Sequence, residues 1–93
     1  MKVLTSPTFE RYAKKLHLNE KKSLDTAVLT ISKDPSLGEA KKVDLEGFHI
    51  YKYKITSQLW LLAYTVESDE IITLRLVGPR ENFYTSLKRR ARG

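Results

Sequence analysis

The chain has 93 residues, with 17 Lys and Arg against 11 Asp and Glu for a formal charge of +6, 41% apolar residues and no cysteine. That length suits one small domain, 1–93, and the apolar share is that of a globular rather than a disordered chain. The lack of cysteine excludes disulfides and thiolate-bound metal, while the basic balance points to polyanionic partners such as nucleic acid, ribosomes or acidic proteins without specifying any chemistry.

No N-terminal apolar run resembles a secretion signal, and no stretch of about 20 apolar residues is present to span a bilayer. The chain is therefore expected in the cytoplasm, with no membrane partner. A core this small is commonly stabilised by a binding partner.

Met1 to Leu4 predicts a short edge strand. Ser6-Pro7 is a helix start, with Ser6 as cap and proline at the first helical position. Phe9, Tyr12, Ala13 and Leu16 then share one helical face, and Glu10, Arg11, Lys14 and Lys15 take the other. His17-Leu18 reads as a break, with Asn19 as the cap of a second helix whose stripe is Leu24, Ala27, Val28 and Ile31. The two helices form a predicted hairpin, and both stripes read as core. Lys14, Lys15, Lys21 and Lys22 make one cluster of cations.

Asp34-Pro35-Ser36-Leu37-Gly38 stops the second helix. Glu39 to Gly47 reads as a connecting loop, with Val43 and Leu45 as apolar pins into the core. Phe48 to Ile55 predicts a strand. His49, Tyr51, Tyr53 and Ile55 lie on one face; Phe48, Ile50, Lys52 and Lys54 lie on the other. Thr56-Ser57-Gln58 is a turn. Leu59 to Val66 is almost wholly apolar, as a strand buried on both sides should be, and it makes Trp60 a core residue. Glu67-Ser68-Asp69 is a second turn before Ile71 to Val77. After Gly78-Pro79, Arg80 to Arg90 predicts a short basic helix with Phe83 and Leu87 one turn apart. Lys88, Arg89, Arg90 and Arg92 form the densest cationic cluster.

The fold class is α+β: an N-terminal strand, a helical hairpin, a three-stranded antiparallel meander and a short basic C-terminal helix, with the helices packed on one face of the sheet. In such a meander Lys52, Lys54, Arg80 and Tyr84 can converge on one concave surface. Each also has a plain alternative. Lysines on an exposed strand oppose aggregation. Arg80 can pair with Glu81 or Asp69, and Tyr84 can be a half-buried aromatic that holds the last helix down. His49 faces away from the lysines and His17 sits at a helix end. The two histidines are far apart and show no ligand spacing, so no metal is expected.

The order β-α-α-β-β-β, the basic character, Gly47, YKYKI (Tyr51 to Ile55), LLAY (Leu61 to Tyr64) and above all VGPRENFYTSLKR (Val77 to Arg89) resemble the RelE/ParE superfamily of toxins from bacterial toxin–antitoxin pairs. The resemblance covers nearly the whole chain. Its RelE branch implies an endoribonuclease that cuts ribosome-bound mRNA with neither metal nor cofactor. The ribose 2′-OH attacks the adjacent phosphate, leaving a 2′,3′-cyclic phosphate and a 5′-OH. That reaction needs a base, cations for the phosphorane and an acid for the leaving oxygen.

By this resemblance Lys52 and Lys54 match the branch's lysine pair, Arg80 its arginine after the last strand and Tyr84 its tyrosine. The mid-sheet arginine position falls on Leu61, and Arg75 is the candidate replacement. Lys88, Arg89 and Arg90 are assigned to RNA contacts. The ParE branch implies instead an inhibitor of DNA gyrase without nuclease chemistry. A third reading is an inactive member that binds its antitoxin and, through it, operator DNA. All three imply a cognate antitoxin as partner.

Overall fold

The computed structural model describes residues 1–92; the side chains of residues 91 and 92 lie outside the described part, so Arg92 of the basic cluster is not placed. The elements are β1 (Lys2–Thr5), α1 (Pro7–Lys14), α2 (Leu18–Lys33), β2 (Glu39–Ala40), β3 (Phe48–Ile55), β4 (Gln58–Ser68), β5 (Ile71–Pro79) and α3 (Phe83–Arg92). The fold is α+β, as expected, but its sheet is larger than a three-stranded meander. Its order is β1-β5-β4-β3-β2, with β1 parallel to β5 and every other neighbour antiparallel. The extra strand β2 lies in the stretch expected as a loop and pairs with His49 and Ile50.

Local signals account for both long helical starts. The Ser6 hydroxyl accepts a hydrogen bond from the Phe9 N–H at 3.1 Å, with Pro7 in the first position. The second helix is capped at His17 rather than Asn19. The Glu20 carboxylate reaches back to accept the His17 N–H at 2.8 Å, and that contact selects the start.

The sheet is covered on both faces. On one, α1 lies over β5 and α2 over β3, and Phe9, Leu24, Ala27 and Ile31 pack against Trp60, Leu62, Tyr64, Ile72 and Leu74. On the other, Phe83 and Leu87 of α3 cover Leu45, Ile50, Leu61, Ala63 and Leu76. The expectation of helices on a single face is thus corrected, because α3 crosses the sheet opposite the hairpin. This explains the apolar run of β4: Trp60, Leu62 and Tyr64 face one core while Leu61 and Ala63 face the other.

Two irregularities redirect side chains. The β4–β5 register slips between Ala63 and Tyr64, leaving Arg75 without an opposite partner. Leu74 and Leu76, two residues apart, consequently face opposite cores. The second lies after β2. Leu45 is buried as expected, but Val43 is 86% exposed and adopts φ +62. Of the two expected apolar pins, Leu45 is the one that enters the core.

Tyr64 ties the α2–β2 connection to the sheet. Its hydroxyl donates to the Pro35 carbonyl and accepts from the Gly38 N–H at 3.0 Å. A Cβ at position 38 would overlap that phenol, so the glycine is required by close approach rather than by its backbone angles.

Candidate functional site

The site follows from strand alternation. On β3, Tyr51, Tyr53 and Ile55 face the hairpin, which leaves Lys52 and Lys54 on the α3 side. Lys52 stands opposite Leu61, and Leu61 opposite Gly78. Lys54 stands opposite Leu59, whose carbonyl accepts the Arg80 N–H at 3.0 Å. With strands about 4.8 Å apart, the backbones of Lys54 and Arg80 lie roughly 10 Å apart across one row. By alternation from Gly78, which abuts Phe83, Arg80 falls on the α3 side. Lys52, Lys54 and Arg80 are all exposed. Past Ile50 the β3 edge has no partner from β2, and Lys54 also borders a shallow groove against Thr26 and Thr30 of α2.

Tyr84 is half-buried on α3 and meets Phe83 edge-on at 5.7 Å. The Lys41 Nζ sits 5.2 Å from the centre of its ring and 3.0 Å from the Glu39 carboxylate. Glu39 pairs with Ile50 across the β2–β3 ladder, which puts it on the Lys52 side of the sheet. Its pKa is held below the usual carboxylate range, first by Lys41 and then, more weakly, by Lys52. The Lys41 ammonium is in turn held charged above its ordinary pKa, chiefly by Glu39 with a smaller contribution from Tyr84. Lys52, Glu39, Lys41 and Tyr84 therefore form one electrostatic chain along this face.

The other predicted cations are dispersed. The Arg75 Nε donates to the Thr65 hydroxyl at 3.0 Å, and its guanidinium pairs with Glu67 at 3.1 Å. Thr65 lies opposite Phe48, four residues along β3 from Lys52, or roughly 13 Å. Glu67 is kept ionised by the Thr65 and Thr73 hydroxyls and by Arg75. Lys88 sits one turn after Tyr84, 3.9 Å from Asp44. Arg90 lies on the far side of α3, where its guanidinium lowers the pKa of the Tyr12 phenol. Arg89 is exposed.

A model of the ParE-like toxin of type II bacterial toxin–antitoxin systems matches residues 3–88. The chain belongs to that family. Solved structures with the same fold include the free E. coli RelE toxin carrying a double arginine substitution (TM-score 0.72, 16% identity, 98% of this chain and 95% of that one). The isolated E. coli RelE toxin matches with TM-score 0.65 and 17% identity over 96% of each chain. The toxin in the intact E. coli RelBE toxin–antitoxin complex matches with TM-score 0.65 and 17% identity over 83% of this chain and 93% of that one. No curated protein sequence matches. At such identities the likeness is one of fold.

Within this ParE-like toxin, Leu61 is wholly buried beneath α3. Glu39 and Lys41 had no role in the sequence reading because their stretch reads as a polar loop. The signal available was their spacing: two residues apart just before a strand, they share a face if that stretch pairs as a strand. The expected core position of Trp60 holds, and His49, expected to face away from the lysines, is half-buried on the hairpin side. Trp60 is 4% exposed, and His49 stacks on Tyr64 at 5.3 Å.

Proposed function

We propose that this ParE-like toxin is a metal-independent endoribonuclease that cuts mRNA on the ribosome, in the cytoplasm. The observation that carries this reading is the exposed row formed by Lys52, Lys54 and Arg80 on one sheet face, with the Lys41–Tyr84 pair alongside. Cations held by strands are pre-positioned for a phosphorane, and their charge stabilises the transition state more than the ground state. In the reaction the 2′-oxygen forms a bond to phosphorus as the bond to the 5′-oxygen breaks. The 2′-OH gives up its proton to water as it attacks, and Tyr84, at the rim of the row, donates a proton to the leaving 5′-oxygen or stacks on a base.

The RelE–antitoxin complexes support a cognate antitoxin as partner. An apolar groove of about 570 Å³ between α1, α2 and β1, floored by Phe9, Leu24 and Leu74 and rimmed by Lys14 and Lys21 together with Glu10 and Asp25, suits an amphipathic segment of that partner. Operator DNA would be reached only through that partner. A second reading, a gyrase-directed inhibitor, is favoured by the burial of Leu61, since the mid-sheet position carries no cation.

The test is purified toxin with ribosomes and a defined mRNA, with the ends mapped. Cuts inside reading frames leaving 2′,3′-cyclic phosphates, absent with Arg80→Ala, support the nuclease. Growth arrest with intact mRNA and DNA damage supports the gyrase reading. A harmless wild type removes both.

A further inference from the structure

Beside the row of Lys52, Lys54 and Arg80 lies a second cationic feature that the row itself does not require. The chain leaves β2 at Ala40, turns through Val43–Leu45 and comes to rest against α3. Between this turn and the helix is a cleft of about 370 Å³, bordered by Lys41, Lys42, Val43, Leu45, Tyr84 and Lys88. That size is within the range of small-ligand sites. One carboxylate, Asp44, also borders it and stands 3.9 Å from Lys88, beyond hydrogen-bond distance. Glu39 engages Lys41 from outside the cleft lining. The cleft is therefore cationic, with an aromatic wall.

Its lip is unusual. Val43 is β-branched, yet it holds φ +62 and leaves its side chain 86% exposed. A bulky side chain in the left-handed region is strained. Burial of Val43 does not compensate, because its side chain is in solvent. The turn is held by buried Leu45 and by the Glu46 N–H to Val43 carbonyl bond at 3.3 Å. The result is an apolar group presented at the mouth of a lysine-lined cleft, beside the ring of Tyr84. Ammonium groups for phosphates together with an aromatic face for a base are the elements that bind single-stranded nucleic acid. Tyr84 belongs to both features, so the cleft continues the catalytic row.

We propose that this cleft is a nucleotide subsite: it holds one nucleotide of single-stranded RNA next to the scissile phosphate, its base against Tyr84 and Val43 and its phosphate on Lys42 and Lys88. The inference rests on the nuclease reading for its neighbouring site. An acidic peptide could use the lysines as well, but the exposed valine and the tyrosine ring favour a base.

The experiment is equilibrium binding of a fluorescent, 2′-O-methylated RNA hexanucleotide to the purified toxin across a salt series. Lys42→Ala and Lys88→Ala should each weaken binding about 5–10-fold and reduce the salt slope by about one. Val43→Asn should weaken binding with the slope unchanged, and Lys33→Ala, at the C-terminal end of α2, should change neither. The inference is overturned if the wild type does not bind the hexanucleotide, or if the two lysine variants keep its affinity and slope. It is equally overturned if they lose an acidic antitoxin peptide while keeping RNA. Cleavage of ribosome-bound mRNA separates the two levels. A wild type that binds through Lys42 and Lys88 but leaves mRNA intact keeps the subsite and ends the nuclease reading. A wild type whose Lys42→Ala and Lys88→Ala variants cut with unchanged kcat and KM ends the subsite alone.

Discussion

Lys52 and Leu61 stand directly opposite each other in the β3–β4 ladder, yet Lys52 is exposed and Leu61 is 0% exposed. The helix α3 makes the difference. It lies over Leu61, Ala63 and Leu76 and leaves the end of β3 uncovered. The exposed cationic face is thus the strip of sheet that α3 does not reach.

A cation cannot simply be restored at position 61. Leu61→Arg places a charge beneath Phe83 and Leu87, with no acidic partner in that cluster. The expected result is a loss of several kcal/mol, through a buried unpaired charge and overpacking. A thermal melt or soluble yield will show it, and unchanged stability would mean that α3 lifts away easily.

The exposed cations should separate function from stability. Arg80→Ala removes no core contact and should leave stability within about 0.5 kcal/mol. It should lower mRNA cleavage by about 100-fold or more, the scale for losing one group that stabilises the transition-state charge. Lys52→Ala and Lys54→Ala should behave alike. Single-turnover cleavage beside a denaturation curve measures both.

Two tyrosines with buried hydroxyls should respond oppositely to loss of that group. Tyr64→Phe strands the Pro35 carbonyl and the Gly38 N–H and should cost about 1–3 kcal/mol. The Tyr53 hydroxyl is buried with no hydrogen-bond partner among the described residues. Tyr53→Phe should therefore be neutral or stabilising. Urea unfolding of the pair is the measurement.

The same Tyr53 predicts a pH dependence. Burial pushes its phenol up to about 12, against about 10 when unfolded. A raised folded pKa means that the folded state holds the proton longer. Its contribution is complete below pH about 10 and is lost as pH rises towards 12. Stability of the wild type should fall across that window, and Tyr53→Phe should flatten the fall.

Val43→Asn should stabilise the fold by about 1 kcal/mol, because asparagine tolerates the left-handed region that valine resists. Differential scanning calorimetry measures it. A destabilised variant would show that the valine side chain contributes contacts that outweigh its strain.

Much of this was legible in the linear chain. Ser6-Pro7 set the start of α1, and the stripes Phe9–Tyr12–Ala13 and Leu24–Ala27–Ile31 chose the buried helix faces. Alternation along FHIYKYKI put both lysines on the side away from the tyrosines, and the segment Val77 to Arg89 carried the family resemblance. These are local properties, since period and capping depend on residues within one or two turns of each other. Three features depended on groups far apart in sequence, and only the tertiary structure decided them. The landing of α3 on the face opposite the hairpin buried Leu61. The one-residue slip at Ala63/Tyr64 turned Arg75 towards Glu67. The two-residue pairing of β2 with β3 brought Glu39 and Lys41 to Lys52 and Tyr84. Neither propensity nor spacing within a segment records which distant strand it will pair with, so the cationic face was half visible in the sequence and was completed by the fold.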